Sequence, residues 1–380
     1  MRHMTRILAS AVATMVAGSA LSAQGTLSTQ GLGYPVGGTS IRAAGTAGSF
    51  GEFDVLSPLN PASLWSIRRT LITAQTEPEY RTVKANGASN GSSAQRVPLV
   101  MVAIPLHSGV ALGLSATTYL DRSYSTTTRG EVVIDSTTLF TTDVTDVRAS
   151  IADLRFAAAW RYSEKLSFGF GGHLFTGDDQ ATRLRTFTDS TRFGTAIDSS
   201  KMVYQGTALS AGAEWRFRKG LAAELSYRQG FFMKTRLRDS VFSEAKVPNR
   251  VGFALKYDGI PGSTFALGID HQSWTRMAAL GSDVITARNA TNWHIGGETE
   301  GGQMRGMPML IRAGFARNAL PFGVDGKWVN DSRYSPGIGL PVAREQATID
   351  LSAQWANRSL SGGGAKETAW LLGLGLQIRP

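Results

Sequence analysis

The feature that most constrains this chain is an alternation of apolar and non-apolar residues that recurs along most of its length. In one segment Leu154, Phe156, Trp160 and Tyr162 fall on one face, while the other face carries arginine and alanine. Comparable alternation occupies residues 166–174, 209–217, 221–228, 251–257, 265–272, 349–355 and 370–378. A period of two predicts β-strands. One face of each strand is apolar and the other carries glycine, serine and charged residues, so the sequence predicts an antiparallel all-β fold.

The connections between these segments alternate in length. Tight turns such as 163–165 and 218–220 contrast with longer polar stretches at 121–148, 177–200 and 276–306. We interpret these stretches as loops, with strand extensions as an alternative for 121–148. Aromatic residues also gather near the segment ends. Both features are typical of outer-membrane barrels, which have short turns at one end, longer loops at the other and two aromatic girdles. A secreted β-sandwich also alternates, but it predicts neither feature. We therefore expect a transmembrane antiparallel β-barrel.

The number of strands follows from the same pattern. The first strand is expected over Ser66–Val83, and residues 319–345, which proline and glycine interrupt, are expected to hold two short strands. Chain termini on one side of the membrane require an even number of strands, so we expect about 14. A barrel of that size has a lumen wide enough to pass water unless something fills it.

The composition narrows the function. The chain has no cysteine, which excludes thiolate catalysis and cysteine-based metal sites. Its formal net charge is +10, but the arginines are scattered and form no basic run, so we expect no nucleic-acid partner. Residues 1–23 are predicted to be a signal peptide: Arg2 and Arg6 precede a short apolar run that ends in small residues at Ser22-Ala23. Their removal leaves a charge of about +8, because the segment holds no Asp or Glu.

A glycine-, alanine- and serine-rich stretch, Gly31–Leu64, precedes the first predicted strand. Alone it could not bury enough apolar surface to offset its ordering entropy. We expect a plug, or hatch, over residues 24–65 that lies inside or beneath a barrel formed by residues 66–380; a flexible linker is the alternative. The stretch ends in Asn60-Pro61-Ala62, where the proline fixes a rigid corner.

Three segments resemble the FadL family of outer-membrane transporters and relatives such as PorV. They are GLGYPVGGTSIRAAGTAGSFGEFDVLSPLNPASL (31–64), VPNRVGFALKYDGIPGSTFALGIDHQSW (247–274) and LIRAGFARNALPF (310–322), which SPGIGLP follows. The resemblance implies a 14-stranded barrel with an N-terminal hatch. It also implies uptake of apolar ligands, often with lateral escape through the wall, and no metal or nucleotide. Asn60, Pro61 and Ala62 match the family's hatch motif residue by residue.

Candidate ligand-binding residues come from the predicted lumen face. Arg155 and Arg228 alternate onto it together with Arg161, Glu214, Glu224, Lys256 and Asp270. A charge on the lipid face would cost about 2–4 kcal/mol at mid-depth, which favours the inward assignment. These charges either pair between wall and plug, or Arg155 or Arg228 meets a ligand carboxylate in a mostly apolar pocket.

Motifs for chemistry are missing from the sequence. No histidine pair has metal-ligand spacing, and there is no H-E-x-x-H, G-x-S-x-G or P-loop. We expect no catalytic residue, metal or cofactor, and no enzymatic activity. A lipid-active barrel enzyme is a third interpretation, which a Ser–His pair at the lipid face would support. His173 or His271 could serve there, but we expect both in solvated or girdle positions.

The leading hypothesis is a passive outer-membrane channel for hydrophobic or amphipathic small molecules, such as long-chain fatty acids, gated by the hatch. The alternative is a PorV-like barrel that docks or shuttles secreted proteins. A continuous apolar pocket in the lumen would favour transport, whereas a packed lumen with large ordered outer loops would favour docking. Either protein would lie in the outer membrane of a Gram-negative-type bacterium. Its expected partners are an apolar ligand, membrane lipid and lipopolysaccharide, and the barrel-assembly machinery.

Overall fold

The computed structural model describes residues 26–380 apart from 86, 108, 135–136, 239, 281–285, 305, 324–325 and 343–345. The signal peptide expected at residues 1–23 lies outside the described residues. Over the described residues the chain forms a closed antiparallel β-barrel of fourteen wall strands, which confirms the predicted fold class and strand number. The sheet closes where the first wall strand pairs with the last, from Ile72 opposite Ile378 to Ala85 opposite Ala365.

The strands are β1 (Tyr34–Pro35), β2 (Leu71–Ala85), β3 (Ala88–Arg96), β4 (Leu99–His107), β5 (Val110–Asp121), β6 (Tyr124–Ile134), β7 (Thr137–Arg161), β8 (Leu166–Phe187), β9 (Ala196–Arg218), β10 (Leu221–Leu237), β11 (Ser240–Lys246), β12 (Arg250–Ile260), β13 (Ser263–Gln272), β14 (Thr286–Ala287), β15 (Ala290–Met304), β16 (Met307–Ala319), β17 (Phe322–Gly323), β18 (Val329–Val342), β19 (Ala347–Leu360) and β20 (Ala365–Ile378). The helical elements are α1 (Ile41–Ala44) and three 3-10 helices, Leu27–Thr29, Pro61–Ser66 and Trp274–Leu280. No helix among the described residues is long and apolar enough to cross a bilayer.

Three wall strands are interrupted, and each consists of two segments in line: β3 with β4, β5 with β6, and β11 with β12. Pro98 and Pro248 lie in two of the breaks, where a residue without an N–H cannot continue the ladder. At the first break Arg96 and Leu99 both face inward, so the alternation changes phase there. The three breaks lie toward one end of the barrel. We call it the loop end because the long connections at 188–195, 273–289 and 320–328 lie there, whereas every connection between described strands at the other end, the turn end, has at most four residues.

The outer surface carries an apolar belt. Large apolar side chains such as Leu114, Phe156 and Leu225 are more than half exposed on it. Toward the loop end, aromatic rings of five neighbouring strands contact one another in the order Trp293, Phe315, Tyr334, Trp355 and Trp370. A second group lies near the turn end, on Trp160, Tyr162, Phe168, Trp215 and Phe217. The predicted girdles are therefore present on both rims.

Most of the expected loop residues lie in strands, as the alternative of strand extensions allowed for 121–148. Residues 124–147 and 178–204 lie mostly in β6–β9, which project beyond the belt at the loop end; we call this part the strand extension. β7 has 25 residues, whereas β13 has 10, a difference of about 50 Å along the strand. Buried positions on one face of the extension include polar residues such as Thr141 and Asp143 as well as Leu139, so the contrast between the faces that marks a strand is weak there.

Three further boundaries differ from the expectation. Residues 61–66 are a 3-10 helix, and the first wall strand begins at Leu71 rather than Ser66. Within 276–306, β15 occupies residues 290–304. The region 319–345 contributes one wall strand, β18, because its proline and glycine residues are accommodated within the ladder rather than ending it.

Residues 26–70 lie within the barrel. The segment starts near the loop end, where the Ser28 backbone N–H donates to Glu367 of β20 at 3.2 Å. It then passes α1, which packs against β18, β19 and β20, and ends in the 3-10 helix against β7, β8 and β9. Core residues such as Ile41, Leu56 and Leu64 are buried between segment and wall. The N-terminal segment is thus a plug, as the fold prediction required.

Candidate functional site: the plugged lumen

The Asn60-Pro61-Ala62 motif forms the N-terminus of the plug's last helix. The Asn60 side-chain oxygen accepts the Ala62 N–H at 2.9 Å, and Pro61 occupies the first helical position, where its missing donor is not needed. The Asn60 amide donates in turn to Glu224 Oε2 on the wall at 2.6 Å. One side chain therefore caps the helix and ties it to β10.

The Asn60-Pro61-Ala62 corner packs against two glycines of the wall. A Cβ added at Gly212 would lie 1.8 Å from Asn60 Oδ1, and one at Gly169 would lie 2.3 Å from the Pro61 carbonyl carbon. Two other wall glycines also touch the plug closely: a Cβ added at Gly314 or Gly337 would lie within 2.7 Å of plug backbone. The plug thus rests against the wall backbone, at distances that no side chain would permit.

Trp65 anchors the end of the same helix. Its indole N–H donates to Glu214 Oε2 at 2.7 Å, and the guanidinium groups of Arg161 and Arg216 lie 5.8 and 5.0 Å from its ring centroid. Indole faces attract cations at these distances. The turn end of the lumen is therefore closed by a wall-bonded aromatic side chain.

A buried ion network holds the plug helix α1. Arg42 donates to Glu298 Oε1 at 2.9 Å, and Arg312 bridges the same carboxylate at 2.6 Å to Asp350 at 2.6 Å. The Ile41 backbone N–H donates to the Gln75 side chain at 2.9 Å. The Arg42 side chain is 36% exposed, whereas Arg312 is buried, so the wall part of the network is rigid and the helix is positioned on it by Arg42 and the Ile41 backbone.

A second polar group joins the plug to the wall near the lumen centre. Glu52 pairs with Arg250, whose Nη1 donates to Ser226 at 2.9 Å. His294 bonds the Ala47 carbonyl at 2.9 Å and approaches Asp270 at 3.3 Å. Of the lumen charges named from the sequence, Glu224 accepts a hydrogen bond from the plug, whereas Asp270 contacts the wall residues His294 and Arg250. The ion pair with the plug is made by Arg250, which the sequence analysis did not name.

The wall is open between two neighbouring strand segments. Among the described residues no backbone pairing joins β3 to β6, although the halves nearer the turn end, β4 and β5, are fully paired. The plug strand β1 covers part of the gap: Tyr34 pairs with Asp121 and Pro35 with Leu120 on the free edge of β5. A plug segment, rather than a wall strand, thus seals this place.

Tyr34 is fixed there by arginines. The guanidinium groups of Arg358, Arg96 and Arg333 lie 4.7, 4.8 and 5.9 Å from its ring centroid. Arg96 also pairs with Asp121 at 2.6 Å. The seal therefore contacts both a buried charged cluster and an apolar one that includes Leu320 and Val329.

Two cavities remain between plug and wall. The larger holds about 110 Å³ and the smaller about 30 Å³. They share the lining residues Pro35, Gly37, Leu59, Arg250, Gln272 and Trp274. The larger cavity combines Val36, Ala44 and Leu320 with polar groups such as Gln354. The lumen is thus largely packed, and its remaining space is mixed in polarity rather than continuously apolar.

Both arginines named from the sequence line the smaller cavity. Arg155 donates to the Pro58 carbonyl of the plug. Arg228 lies 3.8 Å from Asp153, and its guanidinium stands 5.1 Å from the Tyr119 ring centroid and 5.7 Å from that of Phe175. Two cations and one carboxylate therefore face a small space that has aromatic walls.

A line of hydrogen bonds joins three strands beside this cavity. His173 Nδ1 lies 2.9 Å from both Asp153 oxygens, and His173 Nε2 lies 2.9 Å from Ser210 Oγ. The solvated position expected for His173 is wrong, because the ring is buried on the lumen side. The atoms match a Ser–His–Asp arrangement. Neither His173 nor Ser210 lines the two lumen cavities, whereas Asp153 lines the smaller one, and the three side chains tie neighbouring strands together.

The other predicted positions differ in outcome. His271 is outward-facing and exposed, and it bonds Thr291 at 2.8 Å, as expected for a girdle residue. Among the described residues no histidine or carboxylate cluster could hold a metal ion. The sequence analysis did not predict that Trp274 and Tyr119 line the cavities. The one sequence feature that could have indicated this is that Trp274 lies just beyond the short alternating segment 265–272.

No family model matches this sequence. No curated protein matches it either. Comparison with solved structures finds the same fold: a Pseudomonas aeruginosa FadL homologue aligns with TM-score 0.62 at 12% identity over 90% of this chain and 98% of that one. The Ralstonia pickettii toluene transporter TbuX aligns with TM-score 0.61 at 11% identity over 90% and 99%. The P. putida toluene transporter TodX aligns with TM-score 0.58 at 10% identity over 90% and 98%. The chain has a FadL-like fold.

Proposed function

We propose that this chain is a passive outer-membrane channel for small hydrophobic or amphipathic molecules. The observation that carries the proposal is a cavity of about 110 Å³ in a barrel that its own N-terminal segment otherwise fills. An apolar belt between two aromatic girdles supports a membrane location. In an outer membrane the turn end faces the periplasm and the loop end faces outward. The names of TbuX and TodX add toluene-like hydrocarbons as a substrate class.

Cavity size favours small ligands over long chains. About 110 Å³ is below the roughly 150 Å³ cavity that holds benzene in another protein, so a single ring requires only a small shift of the lining. A long-chain fatty acid would require the plug to move. If the ligand carries a carboxylate, Arg155 and Arg228 are the groups that would receive it.

The plug is the gate in this proposal. It blocks the lumen at Asn60-Pro61-Ala62 and seals the wall at Tyr34-Pro35. A shift of the first region opens a route to the periplasm, and a shift of the second opens a lateral route between β3 and β6. In both cases backbone and side-chain contacts between plug and wall are replaced by contacts with the ligand.

A disulfide provides the test. A Cβ added at Gly375 would lie 3.3 Å from the Ile41 Cβ, close to the separation of about 3.5–4.5 Å found in disulfides. Because the chain has no cysteine, the pair Ile41→Cys and Gly375→Cys can form only one bridge. We expect the oxidised variant to lose uptake of labelled toluene and oleate by Gram-negative cells that express it, and reducing agent to restore that uptake.

The single-cysteine variants serve as controls, since each carries one substitution without the bridge. If the unmodified protein takes up neither ligand above the level of empty cells, the channel proposal is wrong. If it takes up a ligand and the oxidised variant does so equally well, transport stands but gating by the plug is refuted.

Two observations favour the docking alternative. The lumen is largely packed, and its described residues form no continuous apolar pocket between plug and wall. The strand extension is ordered, and Val133, Phe140 and Ile197 on it are 66%, 59% and 70% exposed. Under this second hypothesis the extension receives a secreted protein. Shortening the β6–β7 hairpin at the paired residues Thr126 and Thr145 would then change the set of proteins released into the medium. An unchanged set with intact small-molecule uptake would exclude docking.

A further inference from the structure

Trp274 lies between the two cavities of the lumen, near the loop end. It begins the 3-10 helix that follows the short strand β13, its side chain is 1% exposed, and it borders both cavities. Its ring stacks on Tyr119 at 5.5 Å with 18° between the planes and meets the edge of Phe322 at 5.8 Å. The indole is therefore the largest side chain shared by the two spaces.

The backbone around Trp274 is held to the rim. The Ser273 N–H donates to the Asn249 carbonyl at 3.0 Å, and Thr275 Oγ1 donates to Asn289 at 2.9 Å. Arg276 reaches the Gly230 carbonyl at 3.0 Å. Because bonds on both sides fix the helix start, the ring position depends little on the flanking loop, and a smaller side chain at position 274 would leave space rather than draw the backbone inward.

We propose that Trp274 sets the upper size limit of the ligand and restricts it to molecules about as large as one aromatic ring. This inference rests on the proposed channel function. With the indole in place the larger cavity is below the size that holds benzene, and the smaller cavity is separate. Trp274 is the largest of the six residues that line both cavities, so its removal would join the two spaces beside Tyr119 and make room for a two-ring hydrocarbon.

The chemistry of the lining specifies an aromatic ligand. Tyr119 already stacks on one ring and lies 4.8 Å from Phe175, and the Arg228 guanidinium faces both rings. A ligand ring in the space beside Tyr119 would gain the same offset stacking, which is worth about as much as the aromatic pairs it resembles. An aliphatic chain of equal volume would gain burial only.

The experiment compares uptake of toluene and naphthalene by Gram-negative cells that express the unmodified protein, Trp274→Phe or Trp274→Ala. The matched control is Trp293→Ala, which removes an indole from the outer girdle, where it is 43% exposed. We expect the naphthalene-to-toluene ratio to rise on the order of tenfold or more in Trp274→Ala, the scale on which apolar pockets discriminate by size. Trp274→Phe should fall between, and Trp293→Ala should keep the original ratio.

Folding is monitored by the altered gel mobility of the unheated barrel. If Trp274→Ala does not fold, the smaller change in Trp274→Phe decides the matter. An unchanged ratio in the folded variants, with toluene uptake by the unmodified protein intact, overturns the size-limit proposal alone. Failure of the unmodified protein to take up either hydrocarbon instead overturns the channel function on which it rests.

Discussion

A methyl group at position 169 should unseat the plug. The Cβ of Gly169→Ala would lie 2.3 Å from the Pro61 carbonyl carbon and 2.4 Å from the Ala62 nitrogen, whereas ordinary contacts begin at 3.4 Å. Both opposing atoms belong to the backbone, so neither can rotate aside. The corner must move by about 1 Å, which weakens the 2.6 Å bond from Asn60 to Glu224.

The size of the effect follows from two terms. Overpacking a fitted interior costs about 1–3 kcal/mol, and a hydrogen bond to a charged group contributes about 1.5–3 kcal/mol. Since the wall can relax, we take about 1–3 kcal/mol for the sum, and each 1.4 kcal/mol is tenfold in an equilibrium constant. The population with a displaced plug should therefore rise by roughly tenfold to a hundredfold.

Single-channel recording in planar bilayers measures that population as the fraction of time spent conducting. The matched control is Gly172→Ala on the same strand, where the nearest atom to an added Cβ is a leucine methyl 4.0 Å away. We expect this variant to behave like the unmodified protein. If Gly169→Ala conducts no more than Gly172→Ala while both barrels fold, the plug is not seated as the contacts require, and the reasoning fails.

Three further outcomes test other contacts. Arg228→Ala should reduce uptake of carboxylate ligands in transport assays and leave toluene uptake largely unchanged, because only a carboxylate pairs with the guanidinium; equal loss of both would refute a carboxylate role. Trp65→Phe should lower the free energy of unfolding by about 1–3 kcal/mol in urea titrations, since Glu214 loses its 2.7 Å donor; no change would show that the bond contributes nothing. Ser210 should stay unlabelled by a fluorophosphonate probe in mass spectrometry, because it is buried and lines neither of the two lumen cavities, and labelling that His173→Gln abolishes would revive a hydrolase.

Sequence reasoning succeeded where the two faces of a strand meet different surroundings. Around Leu154 or Leu225 one side faces the belt and the other the lumen, so alternation is strong and the strands were predicted. Strand prediction failed in the strand extension, where threonines surround apolar residues such as Phe140 and the two faces differ little in polarity. Sequence reasoning also failed for His173, because its partners Asp153 and Ser210 are neighbours only across strands.

The plug could be inferred from composition, but its seat could not. A stretch that buries too little by itself implies an enclosure, and this argument needs only the sequence. Which wall residues receive it depends on barrel register: Gly169 and Gly212 become neighbours only because β8 pairs with β9 in the observed alignment. In the sequence both were simply small residues on the lumen face.

These wall glycines suggest that the plug and the barrel are specified together. A glycine within a strand is less stable than alanine by about 0.5–1 kcal/mol, so glycines at 212, 314 and 337 weaken the wall unless something compensates. The compensation is close plug contact that any Cβ would prevent, by plug backbone at Gly314 and Gly337 and by the Asn60 side chain at Gly212. A barrel with an open lumen does not require glycine at these wall positions. A barrel that its own N-terminal segment fills requires glycine where the plug lies this close to the wall. At these positions glycine is required by the closed state of the lumen. If the plug moves away, water or ligand must fill the space that it leaves at these glycines.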